Sequence, residues 1–318
     1  MTTPACLPVP SEACTLEKTF AVMACRCCAP LQSDDEGGDE VLLPMEPDAA
    51  LAAATIFDSH NHIFADAMTA RARRNFYGVV QAVEEDDWPR VLERCGASSR
   101  LRPGLGVHPW QAHRVDDVDA YLSRLERHLE QHPGAIVGEV GLCKCAKNAR
   151  GAKEARDAGL AAQRRLFVGQ LLLAARLRRP ASVHAVKQHA PLMDALAAAA
   201  AAGRPSVALH SFSGTAHHVG ELLALVGGAF PVFFGFSHTI NVAMNGSRGA
   251  PALRAAIAAV PDDRVLVESD VDDPAAARAA TCLAVRLVAE AKGWGVVETA
   301  ERTRANALAW LAGGDAPT

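Results

Sequence analysis

The segment that decides the fold reads Ile56-Phe57-Asp58-Ser59-His60-Asn61-His62. Side chains alternate between the two faces of an extended strand, so His60 and His62 point the same way and could share one cation. A doubly wound nucleotide-binding sheet would instead need a glycine-rich turn after its first strand. This segment therefore favours a metal site and disfavours a dinucleotide-binding fold.

Outward from this segment, short apolar runs of β type alternate with helix-like stretches along the chain. The eight runs cover residues 56–58, 79–83, 101–107, 135–142, 182–184, 206–210, 230–236 and 264–267. The clearest helical stretch is residues 159–179, where apolar side chains recur three and four positions apart. An eightfold β-then-α repeat predicts a (β/α)8 TIM barrel, with an open doubly wound sheet as the alternative.

Residues able to bind metal stand at the ends of several of these runs. They are His60, His62, Glu139, His184, His210 and Asp270. The carboxyl ends of barrel strands form one face, so these side chains should converge there. Core packing explains them poorly, because a buried, unpaired carboxylate costs several kcal/mol unless it meets a cation or a donor.

The N-terminal segment differs in composition from the rest of the 318-residue chain. Nine acidic and two basic side chains fall in residues 1–50, whereas the remainder carries 27 acidic and 30 basic ones. Such a stretch cannot bury enough apolar surface to order itself, so we expect a disordered acidic tail over 1–50 and a barrel over 51–318, with order starting near Thr55. The mildly basic body permits a polyanionic substrate without the charge of a dedicated DNA-binding domain.

Composition also bears on the compartment. The chain has nine cysteines, five of them before residue 30, and no basic segment followed by an apolar core at its N-terminus. An odd number of cysteines without a secretory signal indicates reduced thiols, so we expect an intracellular protein, cytoplasmic or nuclear. No apolar run reaches the roughly 20 residues of a membrane span. His217 and His218 are interpreted as solvated helix residues.

Five ordered blocks resemble the signature motifs of the TatD-type metal-dependent hydrolases, of the amidohydrolase-like superfamily. They are residues 58–62 (DSHNH), 106–109 (GVHP), 137–142 (VGEVGL), 210–214 (HSFSG) and 268–270 (ESD), followed by 303–306 (TRAN). The resemblance implies a two-metal barrel hydrolase that cleaves phosphodiester bonds, typically a DNase, with DNA or another phosphodiester as substrate.

By that resemblance His60, His62 and Asp270 hold one divalent ion, His184 and His210 hold the second, and Glu139 bridges them. The ions could be Mg²⁺, Mn²⁺ or Zn²⁺, because carboxylates suit the first two and imidazoles the third. We expect Asp270 and Glu139 to act in catalysis, Asp270 by accepting the proton of the attacking water. His108 is predicted to contact the substrate.

The chain also departs from the family pattern. Cys143 stands where the family usually has an aspartate, Ala185 and Val186 replace a common Ser-Arg pair, and Trp110 replaces a histidine. The predicted metal ligands are spared, and Lys144, Lys147 and Lys187 could supply the lost cationic contacts. Two further functions stay open: a hydrolase of C–N or ester bonds in a small molecule, and a non-catalytic barrel that binds protein partners.

Overall fold

The computed structural model describes residues 49–64, 68, 73–244 and 249–313 of the chain, and their centre is one eight-stranded parallel sheet. Its strands follow each other in chain order: β1 Ile56–Asn61, β2 Phe76–Gln81, β3 Leu101–Leu105, β4 Ile136–Cys143, β5 Ala181–Val186, β6 Val207–Leu209, β7 Val232–Ser237 and β8 Val265–Glu268. All eight strand predictions and the (β/α)8 TIM barrel are thereby confirmed.

Helices lie between the strands in the described part of the chain. They are α1 Ala49–Ala52, α2 Trp88–Gly96, α3 Val118–Gln131, α4 Lys153–Leu177, α5 His189–Ala202, α6 Ala216–Val226, α7 Ala250–Ala259, α8 Pro274–Lys292 and α9 Val296–Leu311. Local signals set their ends: α8 begins where Asp273 Oδ1 accepts the Ala275 N–H bond and ends before Gly293, whose φ is 69°. Among these helices none combines the length and the apolar character that crossing a membrane would need.

The barrel closes between β1 and β8 through contacts at the ends of these strands. The Asp270 N–H donates to the His60 carbonyl at 3.0 Å, and the His62 N–H donates to the Val271 carbonyl at 2.9 Å. Asp58 completes the seam, because its carboxylate accepts the Ser269 N–H at 2.9 Å and the Ser269 hydroxyl at 2.6 Å. Burial raises the pKa of Asp58 to about 7, although these bonds act to lower it.

The opposite end of the barrel is filled by apolar side chains. One residue from each of six strands joins a single buried cluster, which also contains Ala307 and Trp310 of α9: Phe57, Val79, Ile136, Ala208, Phe233 and Leu266. Strands spread around a barrel can share one cluster only in its interior, so Trp310 closes this end.

The described structure begins earlier than Thr55. Helix α1 covers Ala49–Ala52, and Leu51 is only 1% exposed. The Arg278 guanidinium donates to the carbonyls of Leu51 and Ala54 at 2.9 and 3.0 Å, which ties this segment to α8. The expectation of order from Thr55 is therefore wrong by a few residues. The prediction of a disordered tail over 1–50 falls, apart from 49 and 50, outside the described residues.

Candidate metal centre

The predicted ligands meet around one glutamate at the carboxyl ends of the strands. Glu139 lies within β4 and is 4% exposed. His60 belongs to β1 and His62 follows it, His184 lies in β5, and the other two come directly after strands: His210 after β6 and Asp270 just beyond β8. The structure thus brings together all six residues that the sequence put forward.

One oxygen of Glu139 faces the two histidines of the first strand. Glu139 Oε2 is 3.5 Å from His60 Nε2 and 3.2 Å from His62 Nε2. Asp270 Oδ1 lies on the same side, 3.8 Å from His60 Nε2 and 3.6 Å from His62 Nε2. Two imidazole nitrogens and two carboxylate oxygens therefore converge on one small volume.

The other oxygen of Glu139 faces the histidines of β5 and β6. Glu139 Oε1 is 3.0 Å from His210 Nε2 and 3.3 Å from His184 Nδ1, and these two nitrogens are 3.0 Å apart. Glu139 is therefore shared between two donor groups, one on each of its oxygens. This is the arrangement that a carboxylate bridging two cations requires.

Close approach of neighbouring strands depends on Gly141. A Cβ at this position, where φ is 150°, would lie 1.9 Å from the His184 carbonyl oxygen. No side chain fits there, so glycine lets β4 and β5 bring Glu139 and His184 to contact distance.

Two of the ligands, His60 and His62, are oriented by partners that sequence reasoning missed, and a third, His210, has a buried carboxylate beside it. His62 Nδ1 lies 2.9 Å from the Gln81 carbonyl, and His60 Nδ1 lies 2.9 Å from Ser182 Oγ. Glu268 Oε1 accepts bonds from the Ser211 N–H and hydroxyl, and it lies 3.5 Å from His210 Nδ1. Such partners fix ring orientation in metal sites. A polar residue in an otherwise apolar strand was the available signal for Ser182 and Glu268, whereas the main-chain carbonyl of Gln81 has no signal in the sequence.

The tautomer of His62 indicates that this site fits a metal. The Gln81 carbonyl can only accept, so His62 carries its proton on Nδ1 and turns the lone pair of Nε2 toward two carboxylates. That contact is repulsive unless a cation lies between. The Nε2 atom of His60 is likewise buried with no hydrogen-bond partner. In the described part of the chain, the charged partners of both carboxylates are imidazoles rather than lysine or arginine.

In the metal-free protein a proton takes the place of that cation. Burial opposes protonation of His62, but its bonds to Asp270 and Glu139 outweigh burial and raise its pKa to about 10. For the same reason the pKa of Asp270 falls below its usual range, since His62 and its neighbours outweigh the effect of burial. The site is therefore built around two ionised carboxylates, which a divalent metal would neutralise.

His108 joins the centre, but as a hydrogen-bond donor. Its Nδ1 accepts the Trp110 N–H bond at 3.1 Å, which leaves the proton of the neutral ring on Nε2. That nitrogen lies 3.1 Å from Glu139 Oε1. Burial lowers the pKa of His108 to about 4, despite the nearby glutamate. A neutral ring that already donates at Nε2 can hold Glu139 or a substrate oxygen without binding metal.

Two of the departures from the family pattern contact each other beside His184. The Trp110 indole N–H donates to Cys143 Sγ at 3.4 Å, and the Trp110 and His184 ring centroids are 6.4 Å apart. Burial raises the pKa of the Cys143 thiol, but contacts with His184 and Trp110 lower it by more, so the net shift is downward. The tryptophan thus packs at the rim of the barrel, against the strand end that carries the cysteine.

Backbone strain marks the ends of three strands at this face. Lys187, Ser211 and Asp270 have φ angles of 53°, 42° and 52°, and they follow β5, β6 and β8. Residues other than glycine rarely adopt this left-handed conformation, and where they do, they concentrate at functional sites. At Asp270 this conformation turns the chain immediately after β8.

Comparison with known protein families gives a match over almost all of the described structure. The model of the TatD related DNase family matches residues 57–312 of the chain. Apart from Ile56, the first residue of β1, this range contains all eight strands, and it contains every residue of the candidate centre.

Individual relatives agree with this family match. Cut9-interacting protein scn1 of Schizosaccharomyces pombe is 26% identical over 67% of this chain and 84% of its own length. The 3'-5' ssDNA/RNA exonuclease TatD of Musicola paradisiaca is 29% identical over 72% of this chain and 83% of its own length. The crystal structure of YJJV, a TatD homologue from Escherichia coli, has the same fold with a TM-score of 0.64, 21% identity and coverage of 82% of this chain and 99% of that one.

Proposed function

We propose that this chain, which belongs to the TatD related DNase family, is a two-metal nuclease that acts on single-stranded nucleic acid. Family membership makes it a metal-dependent hydrolase of phosphodiester bonds. The number of metals, the ligands and the form of the substrate are the parts we add. The observation that carries them is the sharing of Glu139 between two groups of donors, one on each carboxylate oxygen.

Each donor group would hold one divalent cation. His60, His62 and Asp270 form the first group, His184 and His210 form the second, and Glu139 belongs to both. Bound there, divalent ions would offset the negative charge that develops on the phosphate oxygens during cleavage. Imidazole and carboxylate donors together suit Zn²⁺ and Mn²⁺, and the carboxylates also admit Mg²⁺.

Asp270 and His108 have distinct roles in proton transfer and substrate binding. The Asp270 carboxylate is ionised and its side chain is 13% exposed, so it can take the proton of an incoming water. His108 presents an N–H at Nε2, which can donate to a non-bridging phosphate oxygen.

Two lysines at the strand ends can receive the phosphate backbone. The Lys144 N–H donates to the Val186 carbonyl at 3.0 Å, which places Lys144 and Lys187 at adjacent strand ends beside His184. Both are exposed, and neither forms an ion pair with another described residue. Cationic side chains at the rim of a deep site attract a polyanion without reading its sequence. The relative from Musicola paradisiaca is named as an exonuclease of single-stranded DNA and RNA, which supports a single-stranded substrate here.

The direct test uses purified full-length protein and end-labelled oligonucleotides. Single-stranded DNA, duplex DNA and single-stranded RNA are incubated with Mg²⁺, Mn²⁺ or Zn²⁺, with and without a chelator. We expect metal-dependent cleavage of the single strands, with label at the 3' end lost first. Folded, metal-loaded protein that leaves all three substrates intact would contradict the proposal. Ester, lactone and amide substrates in parallel test the alternative of a small-molecule hydrolase.

A role in protein binding is the second candidate, favoured by one relative. The protein from fission yeast is named for its interaction with Cut9, and it covers two thirds of this chain. A barrel that served only to bind a protein partner would not need its metal-binding residues. The test is the variant Glu139→Ala. If it abolishes cleavage but still captures the same partner from cells, the two activities coexist in one protein. Partner capture by a protein with no turnover on any substrate would favour the scaffold function.

A further inference from the structure

A second cluster of metal-binding side chains lies outside the centre, on the helices that follow β5 and β6. His189 is the first residue of α5, while His217, His218 and Glu221 lie in the first two turns of α6. Donor atoms of His189, His218 and Glu221 all lie within 4.8 Å of one another. None of the roles assigned above uses these residues.

The cluster places three imidazoles around one carboxylate. His189 Nε2 is 3.1 Å from Glu221 Oε2, and His217 Nε2 is 3.5 Å from Glu221 Oε1. The ring centroids of His189 and His218 are 4.1 Å apart at an angle of 33°. A simple ion pair needs one imidazole, so a second ring packed on the first and a third at the other oxygen are more than pairing requires.

Helical spacing explains why these donors share one side. His218 and Glu221 are three residues apart and His217 and Glu221 are four apart, so the three lie on the face of α6 that meets α5 at His189. Neutral imidazoles with a carboxylate are ligands of borderline cations, typified by Zn²⁺, rather than of Mg²⁺ or Ca²⁺.

We propose that His189, His218 and Glu221 bind a borderline divalent cation, of which Zn²⁺ is the representative, and that this ion clamps α5 to α6. His217, whose side chain is 80% exposed, can swing in as the fourth ligand, or water can fill that position. The two helices directly follow the strands that carry His184 and His210, so the clamp would hold that part of the barrel rim together. His217 and His218 both lie in α6, as the sequence predicted, and His217 is exposed, whereas the half-buried His218 also packs its ring on His189.

Metal binding has one identifiable cost in the structure. His218 Nδ1 accepts the Thr215 N–H bond at 3.2 Å, whereas a metal on Nε2 would move the ring proton to Nδ1 and break that bond. Thr215 Oγ1 accepts the His218 N–H bond at 3.4 Å and can continue to cap α6. Zinc binding should therefore shift the backbone amide signal of Thr215 in particular.

The test compares untagged full-length protein with the double variant His189→Asn plus His218→Asn after dialysis against buffered zinc at low micromolar free concentration. Elemental analysis should show one zinc ion fewer per chain in the variant. The catalytic centre and the cysteines are unchanged in the variant and bind the same amount of zinc in both proteins. The difference in zinc content therefore reports this cluster alone. The matched control is His132→Asn, whose ring stacks on His128 with no carboxylate contact in the described structure, and its zinc content should equal that of the wild type.

Two further measurements keep the proposal open to refutation. Glu221→Gln changes one half-exposed side chain with the same shape, so it should fold and also lose one zinc ion. Glu139→Gln should retain this zinc ion, which separates failure here from failure of the proposed nuclease. Equal zinc content in wild type, double variant and Glu221→Gln, together with an unmoved Thr215 amide signal, would show that the cluster is only an ion pair with stacked rings.

Discussion

The centre around Glu139 and the cluster around Glu221 contain the same kinds of side chain in opposite surroundings. Glu139 has a side chain 5% exposed, and its neighbours come from strands far apart in the sequence. The Glu221 side chain is 41% exposed, and its neighbours come from two adjacent helices. In the first region burial requires every charge to be compensated by a neighbouring group or ion, whereas in the second region water can solvate the charge.

That contrast predicts which of the two proposed metal sites is coupled to folding and chemistry. Around Glu139, the lone pair of His62 Nε2 faces carboxylates, and three imidazole nitrogens, on His60, His184 and His210, are buried without a hydrogen-bond partner, so a centre without a cation would carry an electrostatic cost. Around Glu221, the side chains satisfy one another and solvent covers the rest. We therefore expect large effects at the first region and small ones at the second.

The largest effect should follow Glu139→Gln. The amide keeps the shape but removes the charge shared by both donor groups, so we expect kcat/KM on single-stranded DNA to fall by about 10³-fold or more. Elemental analysis should show loss of metal from the centre. Glu130→Gln, an exposed glutamate in α3, is the control with unchanged activity. Activity within tenfold of wild type would mean that Glu139 is not the bridging ligand.

Metal affinity of the centre should rise with pH. In the metal-free protein His62, with a pKa raised to about 10 by Asp270 and Glu139 against the effect of burial, holds a proton that the metal must displace. Each displaced proton makes the apparent association constant rise about tenfold per pH unit, so we expect at least about a hundredfold rise from pH 7 to 9. Calorimetry in buffers of different ionisation enthalpy counts the protons released.

The same titration sharpens the contrast with the helix cluster. Burial and the neighbouring His189 lower the pKa of His218, so this ring is neutral at pH 7 and has no proton to give up. In the Glu139→Gln background, zinc binding should release no proton from His218 above pH 7. If zinc affinity still rises steeply with pH in this background, the proton displaced by the metal does not belong to the centre around Glu139.

A smaller effect is expected from His108→Asn. The variant loses an N–H that faces Glu139 Oε1 and the substrate but no metal ligand, so we expect kcat to fall about 10- to 100-fold. Metal content, measured on the same sample, should stay at the wild-type value. A drop in metal content would instead make His108 a ligand and overturn its assigned tautomer.

The smallest effect belongs to Glu221→Gln. Nuclease activity should stay within about twofold of wild type, since the residue touches no predicted catalytic group. In the Glu139→Gln background, zinc at ten times its dissociation constant should raise the melting temperature by about 2–3 °C through the helix cluster. Addition of Glu221→Gln should abolish this rise. A rise that survives both substitutions would place the zinc elsewhere.

Much of the barrel could be predicted because its signals are local. Each strand is a short apolar run between helix-like stretches, and the ligands stand at strand ends as residues that apolar packing disfavours. His60 and His62 are also adjacent enough for the alternation of a strand to place them together. The topology of a barrel alone predicts that Glu139 lies close to His60 and His62.

The rest depends on contacts that sequence spacing does not encode. Whether His108 donates or binds metal is decided by the backbone N–H of Trp110, which fixes the tautomer. The partner of His62 is a main-chain carbonyl, which any residue at position 81 would supply. The pairing of His189 with Glu221 needs two helices at one particular separation. The early start of the structure at α1 depends on Arg278, more than 200 positions away.

Trp310 and the ring of side chains beneath it give the barrel a single mouth. A polynucleotide cannot thread through such a barrel, so it must present its end or lay a segment across the opening, and the cleaved product must leave through the same opening. We therefore expect exit of the product through this opening to compete with entry of the next segment of substrate. Mononucleotide products should accordingly inhibit by competing with the incoming strand.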